Sequence, residues 1–109
     1  MSLLQPYGNQ TLRGSEVVQL SGATLLEFGV DWCEYCQAAQ PLIGAALKAY
    51  PEIRHLKIED GKGRPLGRQF NVKLWPTLIL LHDGKEVTRL VRPVRTDEIG
   101  RAVLSVKSL

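Results

Sequence analysis

Short apolar runs alternate along the chain with longer segments of helical periodicity, which predicts alternating strands and helices. Residues 24–30, TLLEFGV, are apolar and rich in strand formers, so we expect a buried central strand. Residues 33–50 carry apolar side chains at helical spacing. Within them, Pro41 should kink the helix because proline donates no backbone hydrogen bond. Residues 52–58, EIRHLKI, alternate well enough for a second strand.

The same alternation continues in the second half of the chain. Residues 62–72 contain glycines and a proline, which indicates a short, irregular helix. Asp83 and Gly84 then separate the runs TLILLH and EVTRLVR. Because Asp-Gly between strand-like runs is a strong hairpin signal, we expect two antiparallel strands joined by a tight turn.

The two ends of the chain differ in how clearly they can be interpreted. The last segment, RTDEIGRAVLSV, predicts an amphipathic helix with Thr96 as its N-cap and Asp97 and Glu98 in its first turn. Near the other end, residues 15–20 fit either a first strand or the end of a first helix, and both interpretations remain open.

The order of elements predicts the fold class. A strand–helix–strand unit followed by a helix, a hairpin and a last helix implies an α/β fold in which helices cover both faces of a mixed sheet. A chain of 109 residues fits one domain. We place its core at about residues 23–107 and assign residues 1–14 only loosely, with Met1–Leu3 interpreted as an expression remnant.

Composition and charge narrow the function classes. The chain is 44% hydrophobic and 23% charged, as expected for an ordered globular protein, and no apolar run approaches the roughly 18 residues of a membrane span. The net charge of +3 lacks a dense basic run, so we expect no nucleic-acid partner. We interpret this charge as a solvated surface, with steering toward an acidic protein partner as the alternative.

The start of the chain and its cysteine content bear on the compartment. The first ten residues lack the pattern of a signal peptide. Two cysteines in the whole chain fit a reducing compartment, where a static disulfide is unusual. We therefore expect a cytoplasmic protein, or a periplasmic or secreted one if a leader once preceded this sequence.

Both cysteines lie in one motif, DWCEYCQ, and three interpretations compete for it: a redox pair, half of a metal site, or two inert core residues. Cys33 falls where the predicted strand runs into the helix, and the N-terminus of a helix stabilises a thiolate. Cys36 lies one turn further in, where it can resolve a mixed disulfide. A zinc site needs a second ligand pair, but His55 and His82 are isolated in the sequence. These observations favour the redox pair.

Several motifs together resemble the thioredoxin family: LLEFGVDWCEYC, Pro41, LWPT and HDGKEV, within residues 23–107. The resemblance implies the thioredoxin fold, a central mixed sheet of four to five strands with helices on both faces. It also implies a thiol–disulfide oxidoreductase without metal or organic cofactor. Its substrates would be disulfides in proteins, and a thioredoxin reductase-like or other electron donor would recycle it. We expect a monomer.

The resemblance assigns roles to single residues. Cys33 would be the nucleophile and Cys36 the resolving thiol, while Trp32 would belong to the surface that meets substrates. Pro76 would be the cis-proline opposite the pair, and the backbone beside it would pair with an extended substrate segment.

A buried carboxylate is also implied. Glu27 stands at the position of the family's buried carboxylate, which is usually aspartate, and Lys57 at that of a nearby lysine. We expect burial to raise the pKa of Glu27, which would accept a proton from Cys36, with Lys57 partly neutralising it. The alternative is a plain ion pair between Glu27 and Lys57. The extra methylene of glutamate leaves its reach to Cys36 open.

Some residues depart from the family pattern around the cysteines. The spacer Glu34-Tyr35 replaces the usual Gly-Pro, and the charge of Glu34 should disfavour the Cys33 thiolate and make the couple more reducing. Gly29 stands where an aromatic residue is common, and we interpret Trp75, which precedes the proline, as supplying that bulk across the site.

A further departure lies in the loop that lines the substrate surface. Arg92 replaces a glycine that would let a partner backbone approach closely. Either it turns out into solvent, or it meets a partner with an acidic segment near its cysteine. Glu34, Tyr35, Trp75 and Arg92 are therefore the candidate substrate-binding residues that distinguish this chain, and they favour a dedicated partner.

Two function classes follow. The first is a dithiol enzyme that reduces protein disulfides, or an oxidase or isomerase if the protein is exported. The second is an adaptor of the same fold that binds a partner regardless of redox state. Trp75 and Arg92 favour the adaptor, whereas the intact pair Cys33 and Cys36 favours the enzyme.

Overall fold

The computed structural model describes residues 6–8 and 12–109, and the interpretation of Met1–Leu3 as a remnant lies outside them. Four strands form one sheet in the order β2-β1-β3-β4. Strand β2 runs parallel to β1, whereas β3 is antiparallel to both β1 and β4, so the mixed sheet is confirmed. The elements, in chain order, are α1 Gly14–Val17, β1 Ala23–Gly29, α2 Glu34–Leu47, β2 Arg54–Glu59, α3 Pro65–Gln69, β3 Thr77–His82, β4 Lys85–Val91 and α4 Thr96–Lys107.

Strand β1 is buried on both faces, which explains its continuous apolar run. Leu25 packs into one core cluster with residues of α2 and α4. Leu26 and Phe28 point the other way and pack with Val17 of α1 and Leu66 of α3. Because side chains alternate along a strand, Glu27 shares the α2 side of the sheet with Leu25. An acidic side chain is thereby held inside the molecule.

Helix α2 brings the cysteine motif to the end of β1. Cys33 is its N-cap residue, as expected from the strand–helix junction, and the helix ends at Leu47, three residues before the predicted end. The helix continues past Pro41, and the kink stays a prediction. This helix has 14 residues.

Within the described part of the chain, no helix is long and apolar enough to cross a membrane.

The hairpin is confirmed, and its turn explains the Asp-Gly signal. Strand β3 ends at His82 and β4 begins at Lys85, which leaves Asp83 and Gly84 as the two turn residues. Their φ angles are 51° and 80°. Positive φ at both central positions is typical of the tight turn that matches the twist of a hairpin, and glycine adopts it without steric cost.

Three expectations about the helices are settled. Residues 15–20 contain the end of a helix, because α1 ends at Val17. The irregular helix predicted at residues 62–72 is the short α3. The N-cap prediction is wrong: Arg95 is the N-cap of α4, and Thr96 is already its first helical residue. Glu98 instead accepts a hydrogen bond from the Val94 backbone N–H at 2.9 Å, which satisfies a donor just before the helix.

The N-terminal segment lies along the outer edge of β2. Gly8 forms a parallel bridge to Ile58, donating its N–H to the Lys57 carbonyl and accepting from the Glu59 N–H, both at 3.2 Å. The Tyr7 N–H donates to Asp31 Oδ1 at 2.9 Å. These contacts fix the Tyr7 side chain beside the carboxyl end of β1, close to the cysteines.

Candidate active site

The two cysteines occupy different environments, although both are free thiols. Cys33 Sγ accepts a hydrogen bond from the Cys36 backbone N–H at 3.3 Å. This contact places Cys33 at the N-terminus of α2, where unpaired N–H groups and the helix dipole stabilise a thiolate. Cys33 is 8% exposed and Cys36 only 1%. The geometry therefore suits attack by Cys33 and resolution by Cys36.

Cys36 needs a base before it can attack. Burial raises the pKa of its thiol to about 12, with only partial compensation from a backbone hydrogen bond at Val30. At neutral pH the Cys36 sulfur therefore carries a proton. Because the thiolate is the nucleophilic form, this proton must leave when Cys36 attacks a mixed disulfide.

A fully buried carboxylate lies behind the cysteine pair. Glu27 accepts hydrogen bonds from the Tyr7 hydroxyl and, at 2.8 Å, from Gln40 Nε2. His55 Nε2 lies 2.8 Å from the second carboxylate oxygen, Oε1. Lys57 Nζ donates to Gln40 Oε1 at 2.7 Å and stands 4.6 Å from the centre of the Tyr7 ring. We call these five residues the Glu27 cluster.

The expectation that the pKa of Glu27 is raised is wrong. Burial does act in that direction, but hydrogen bonds from His55, Tyr7 and Gln40 outweigh it and lower the pKa below its ordinary value. Sequence reasoning accounted for the apolar strand and not for these three partners. At neutral pH Glu27 is therefore a carboxylate, which can accept a proton but has none to donate.

Glu27 reaches toward Cys36 with Tyr7 between them. A Cβ at Gly29 would come within 2.7 Å of Cys36 Sγ and equally close to the Tyr7 hydroxyl. The missing side chain of Gly29 thus leaves the space in which the thiol and the phenol meet. Tyr7 fills that space, and Trp75 packs against the same cluster of Tyr7, Val30 and the two cysteines.

An exposed set of side chains surrounds Cys33. Trp32 is 74% exposed and meets the Trp75 ring edge-on, with centroids 5.8 Å apart. Trp75 Nε1 donates to Asp60 Oδ2 at 2.8 Å, which fixes the indole. The peptide bond between Trp75 and Pro76 is cis. We call Trp32, Tyr35, Trp75 and Arg92 the rim. Glu34 lies beside the rim as the first residue of α2.

Arg92 is held against the rim. Its Nε donates to the Trp75 carbonyl at 2.8 Å, and its guanidinium lies 3.8 Å from the centre of the Tyr35 ring. Its φ of 51° lies in the left-handed region, which glycine adopts most easily. This backbone position explains why the family pattern has glycine here. The interpretation of Arg92 as turned out into solvent is therefore wrong.

Four residues of the site carry no functional prediction from the sequence: Tyr7, Gln40, His55 and Asp60. Gln40 follows Cys36 by one helical turn, and a polar residue on a buried helix face is a usable signal. His55 precedes Lys57 by two positions in β2, so the two side chains share one face of the strand. Tyr7 gives no local signal at all.

The described residues, 6–8 and 12–109, hold no group of three or more His, Cys, Asp or Glu side chains able to bind a metal ion. Fold and site together define a dithiol protein built on a thioredoxin-like sheet. The family model described as Thioredoxin matches residues 10–105, and the chain belongs to the thioredoxin family.

The chain is similar to several thioredoxins. It is 40% identical over 72 residues to a thioredoxin of Chlamydia trachomatis serovar D, covering 65% of this chain and 70% of that protein. It is 49% identical to thioredoxin 2 from Pseudomonas aeruginosa PAO1 in its reduced form, with a TM-score of 0.87 and coverage of 95% and 96%. For the thioredoxin NaTrxh of Nicotiana alata, the identity is 29%, the TM-score 0.72 and the coverage 85% and 80%. The chain is a thiol–disulfide oxidoreductase that acts on protein disulfides.

Proposed function

We propose that this protein reduces disulfides in partner proteins of the cytoplasm, using Cys33 as nucleophile and Cys36 as resolving thiol. The observation that carries the proposal is the unequal placement of the two thiols. Cys33 lies at the start of a helix and is the more exposed, whereas Cys36 is buried and protonated. Two cysteines with these properties suit attack and resolution in sequence.

The reaction balances in two exchanges. The Cys33 thiolate attacks a substrate disulfide, forms a mixed disulfide and releases the first substrate thiolate. Cys36 then loses its proton and attacks Cys33 Sγ, which closes the Cys33–Cys36 disulfide and releases the second substrate thiolate. Two electrons pass to the substrate, and its two thiolates take up protons. A thioredoxin reductase-like donor then returns two electrons to the pair, and a monomer is sufficient for each step.

Glu27 supports the second exchange as proton acceptor. It is a carboxylate at neutral pH and is buried on the same side of the sheet as Cys36. Lys57, through Gln40 and the Tyr7 ring, places a positive charge beside the cluster. That charge favours the ionised form of Glu27, so the carboxyl carries no proton when Cys36 begins to attack.

The rim selects the partner. An extended substrate that pairs with the backbone beside Pro76 needs the Trp75 carbonyl, where Arg92 Nε already donates a hydrogen bond. A substrate with an acidic side chain near its cysteine offers the guanidinium a new ion pair in exchange. We therefore propose partners with Asp or Glu close to the reactive cysteine. The same guanidinium disfavours a basic segment there.

Paired peptides test the role of Arg92. Two disulfide peptides that differ only in Glu or Lys beside the cysteine should differ roughly fivefold in kcat/KM, in favour of Glu, as one partly exposed ion pair allows. Arg92→Gly should remove this preference. Arg101→Gln removes an equal charge from the exposed face of α4 and should leave the preference intact. An equal preference in wild type and Arg92→Gly would contradict the proposal.

Turnover of a protein disulfide tests the function itself. With dithiothreitol as electron source, the wild-type protein should reduce the disulfides of insulin. Cys33→Ser should abolish this turnover. In a separate stoichiometric reaction without dithiothreitol, Cys36→Ser should stop after the first exchange with a trapped mixed disulfide on Cys33. If a natural partner is still bound and its function supported after Cys33→Ser, the protein acts as an adaptor and the proposal fails.

A further inference from the structure

Tyr7 is held at the site from several directions. Its N–H is bonded to Asp31 Oδ1, and the next residue, Gly8, is paired with β2. Its ring lies under Lys57 Nζ at 4.6 Å, and its hydroxyl donates to Glu27 Oε2. Tyr7 is only 7% exposed although it belongs to the N-terminal segment. Its phenol is therefore fixed in one place beside the reacting sulfur.

The Tyr7 hydroxyl lies between the thiol that must lose a proton and the carboxylate that can accept it. A Cβ at Gly29 would stand 2.7 Å from both Cys36 Sγ and the Tyr7 oxygen, so the two atoms border one small space. Both residues also line a cavity of about 320 Å³ with Gln40 and Lys57. A hydroxyl both donates and accepts a hydrogen bond, so Tyr7 can serve both neighbours at once.

We propose that Tyr7 relays the proton of Cys36 to Glu27 during resolution of the mixed disulfide. This proposal rests on the proposed two-step function. The Cys36 S–H bond breaks and its proton passes to the Tyr7 oxygen, while the proton of the Tyr7 hydroxyl passes to Glu27 Oε2. The electron pair left on Cys36 Sγ forms the bond to Cys33 Sγ, and the substrate thiolate leaves. Tyr7 ends neutral, as it began.

The relay reverses a short chain of hydrogen bonds. Before the transfer, the Tyr7 hydroxyl donates to Glu27. Afterwards, protonated Glu27 donates to the Tyr7 oxygen, and Tyr7 donates to the sulfur. Burial and the neighbouring carboxylate raise the pKa of Tyr7, so the phenol does not ionise on its own. The two protons must therefore move together, as the sulfur attacks.

His55 holds the other oxygen of the carboxylate. Its Nε2 lies 2.8 Å from Glu27 Oε1, and its side chain is 25% exposed, whereas that of Glu27 is fully buried. The hydrogen bond from the imidazole lowers the pKa of Glu27 and keeps the carboxyl deprotonated before the relay begins. For the same reason Glu27 gives up the acquired proton at neutral pH before the next cycle.

Tyr7→Phe tests the relay because it removes one oxygen and keeps the ring. Resolution is followed by stopped-flow as closure of the Cys33–Cys36 disulfide after mixing with a peptide disulfide. We expect its rate at pH 7 to fall at least about tenfold, a modest share of what general acid–base catalysis supplies. Alkylation of Cys33 by iodoacetamide should keep its rate. Tyr50→Phe alters a tyrosine that packs against the core cluster of Leu25, α2 and α4, away from the cysteines, and it should change neither rate.

The pH profile separates a relay from mere packing. Without Tyr7, Cys36 depends on direct loss of its proton, so the resolution rate should rise about tenfold per pH unit below the thiol pKa. The wild-type rate should depend less steeply on pH. An unchanged rate and profile in Tyr7→Phe would contradict the relay. If the wild type itself fails to reduce insulin, the proposed function fails instead.

A measurement on the wild type covers the case in which Tyr7→Phe does not fold. Resolution rates in mixtures of H₂O and D₂O should fall along a curve, because two protons are in flight in the same step. A straight line would indicate transfer of a single proton and would overturn the relay.

Discussion

The rim and the Glu27 cluster face the same pair of thiols but differ in residue type and in burial. The rim is aromatic and cationic, with Trp32 and Tyr35 exposed and the half-buried Arg92 bridging Tyr35 to the half-buried Trp75. The Glu27 cluster is polar and hydrogen-bonded around one fully buried carboxylate, with His55 and Lys57 half-buried at its edge. The rim surrounds Cys33, the proposed nucleophile, and the cluster lies behind Cys36, the proposed resolving thiol.

This difference assigns specificity and chemistry to separate regions. Contacts that a partner makes with Trp32, Tyr35 and the Arg92 guanidinium can vary because they form at the surface, where single ion pairs contribute little to stability. Contacts in the cluster lie in a low-dielectric interior, where an unpaired donor or charge is costly. We therefore expect rim variants to alter substrate preference and cluster variants to alter the rate of resolution and the stability.

The largest effect is expected from Glu27→Gln, which removes the proton acceptor and keeps the size of the side chain. Resolution at pH 7 should slow by about 100-fold, the lower range for loss of general base catalysis. Stopped-flow closure of the Cys33–Cys36 disulfide measures it. Glu52→Gln, at an exposed position paired with Lys107, is the matched control. An equal slowing in both variants would contradict the assignment of Glu27.

The second effect is on stability and its pH dependence. In the folded protein the pKa of Glu27 lies below its ordinary value of 4.5. The ionised side chain therefore stabilises the fold above about pH 4.5. This contribution is lost as the pH falls through the folded pKa. Glu27→Gln should therefore cost about 1.5–3 kcal/mol at pH 7, since hydrogen bonds to a charged group are lost. The difference from wild type in urea unfolding should shrink toward pH 3. A difference that grows on acidification would mean a raised pKa.

A third effect tests the space shared by Tyr7 and Cys36. Gly29→Ala places a methyl group within 2.7 Å of both side chains, so we expect a loss of about 1–3 kcal/mol from overpacking. Gly44→Ala in α2 meets no atom within 4 Å and should instead stabilise by about 0.5–1 kcal/mol. Urea unfolding of both variants measures the contrast. Equal stabilities would show that the site at Gly29 is looser than described.

The smallest effect concerns the rim. Trp75→Phe removes the indole N–H that donates to Asp60 and should cost about 1 kcal/mol. Trp32→Phe, at a position 74% exposed, should change the stability by less than about 0.5 kcal/mol. Thermal unfolding compares the two. A larger loss for Trp32→Phe would mean that the exposed indole, and not the anchored one, organises the rim.

The rim could be predicted from the sequence where local motifs carry it, but not in the contacts of Arg92 with Tyr35 and Trp75, which join separate segments. WCEYC fixes the position of Cys33 at the start of α2, and LWPT brings Trp75 and Pro76 to the start of β3. The hairpin was equally predictable, since Asp83 and Gly84 carry their own turn preference. In each case neighbours in sequence determine the structure.

The Glu27 cluster could be predicted only in part, because its members come from separate segments. The parallel register sets Glu27 opposite Lys57, and β2 thereby brings His55 to the carboxylate. Tyr7 is brought to the site because the next residue, Gly8, pairs with Ile58 at the edge of β2. No local pattern encodes these contacts, and the lowered pKa of Glu27 depends on them. The Thr96 cap failed for a simpler reason, a boundary displaced by one residue.

The redox potential of the Cys33–Cys36 couple tests the central claim most directly. The reduced protein is equilibrated with dithiothreitol or glutathione buffers, and free thiols are counted at each ratio. If the protein is a reductase of protein disulfides, we expect the couple to have a potential of about −270 mV or lower, with Glu34 making it more reducing. A value near about −180 mV or above would make the protein an oxidant or isomerase and would contradict this account.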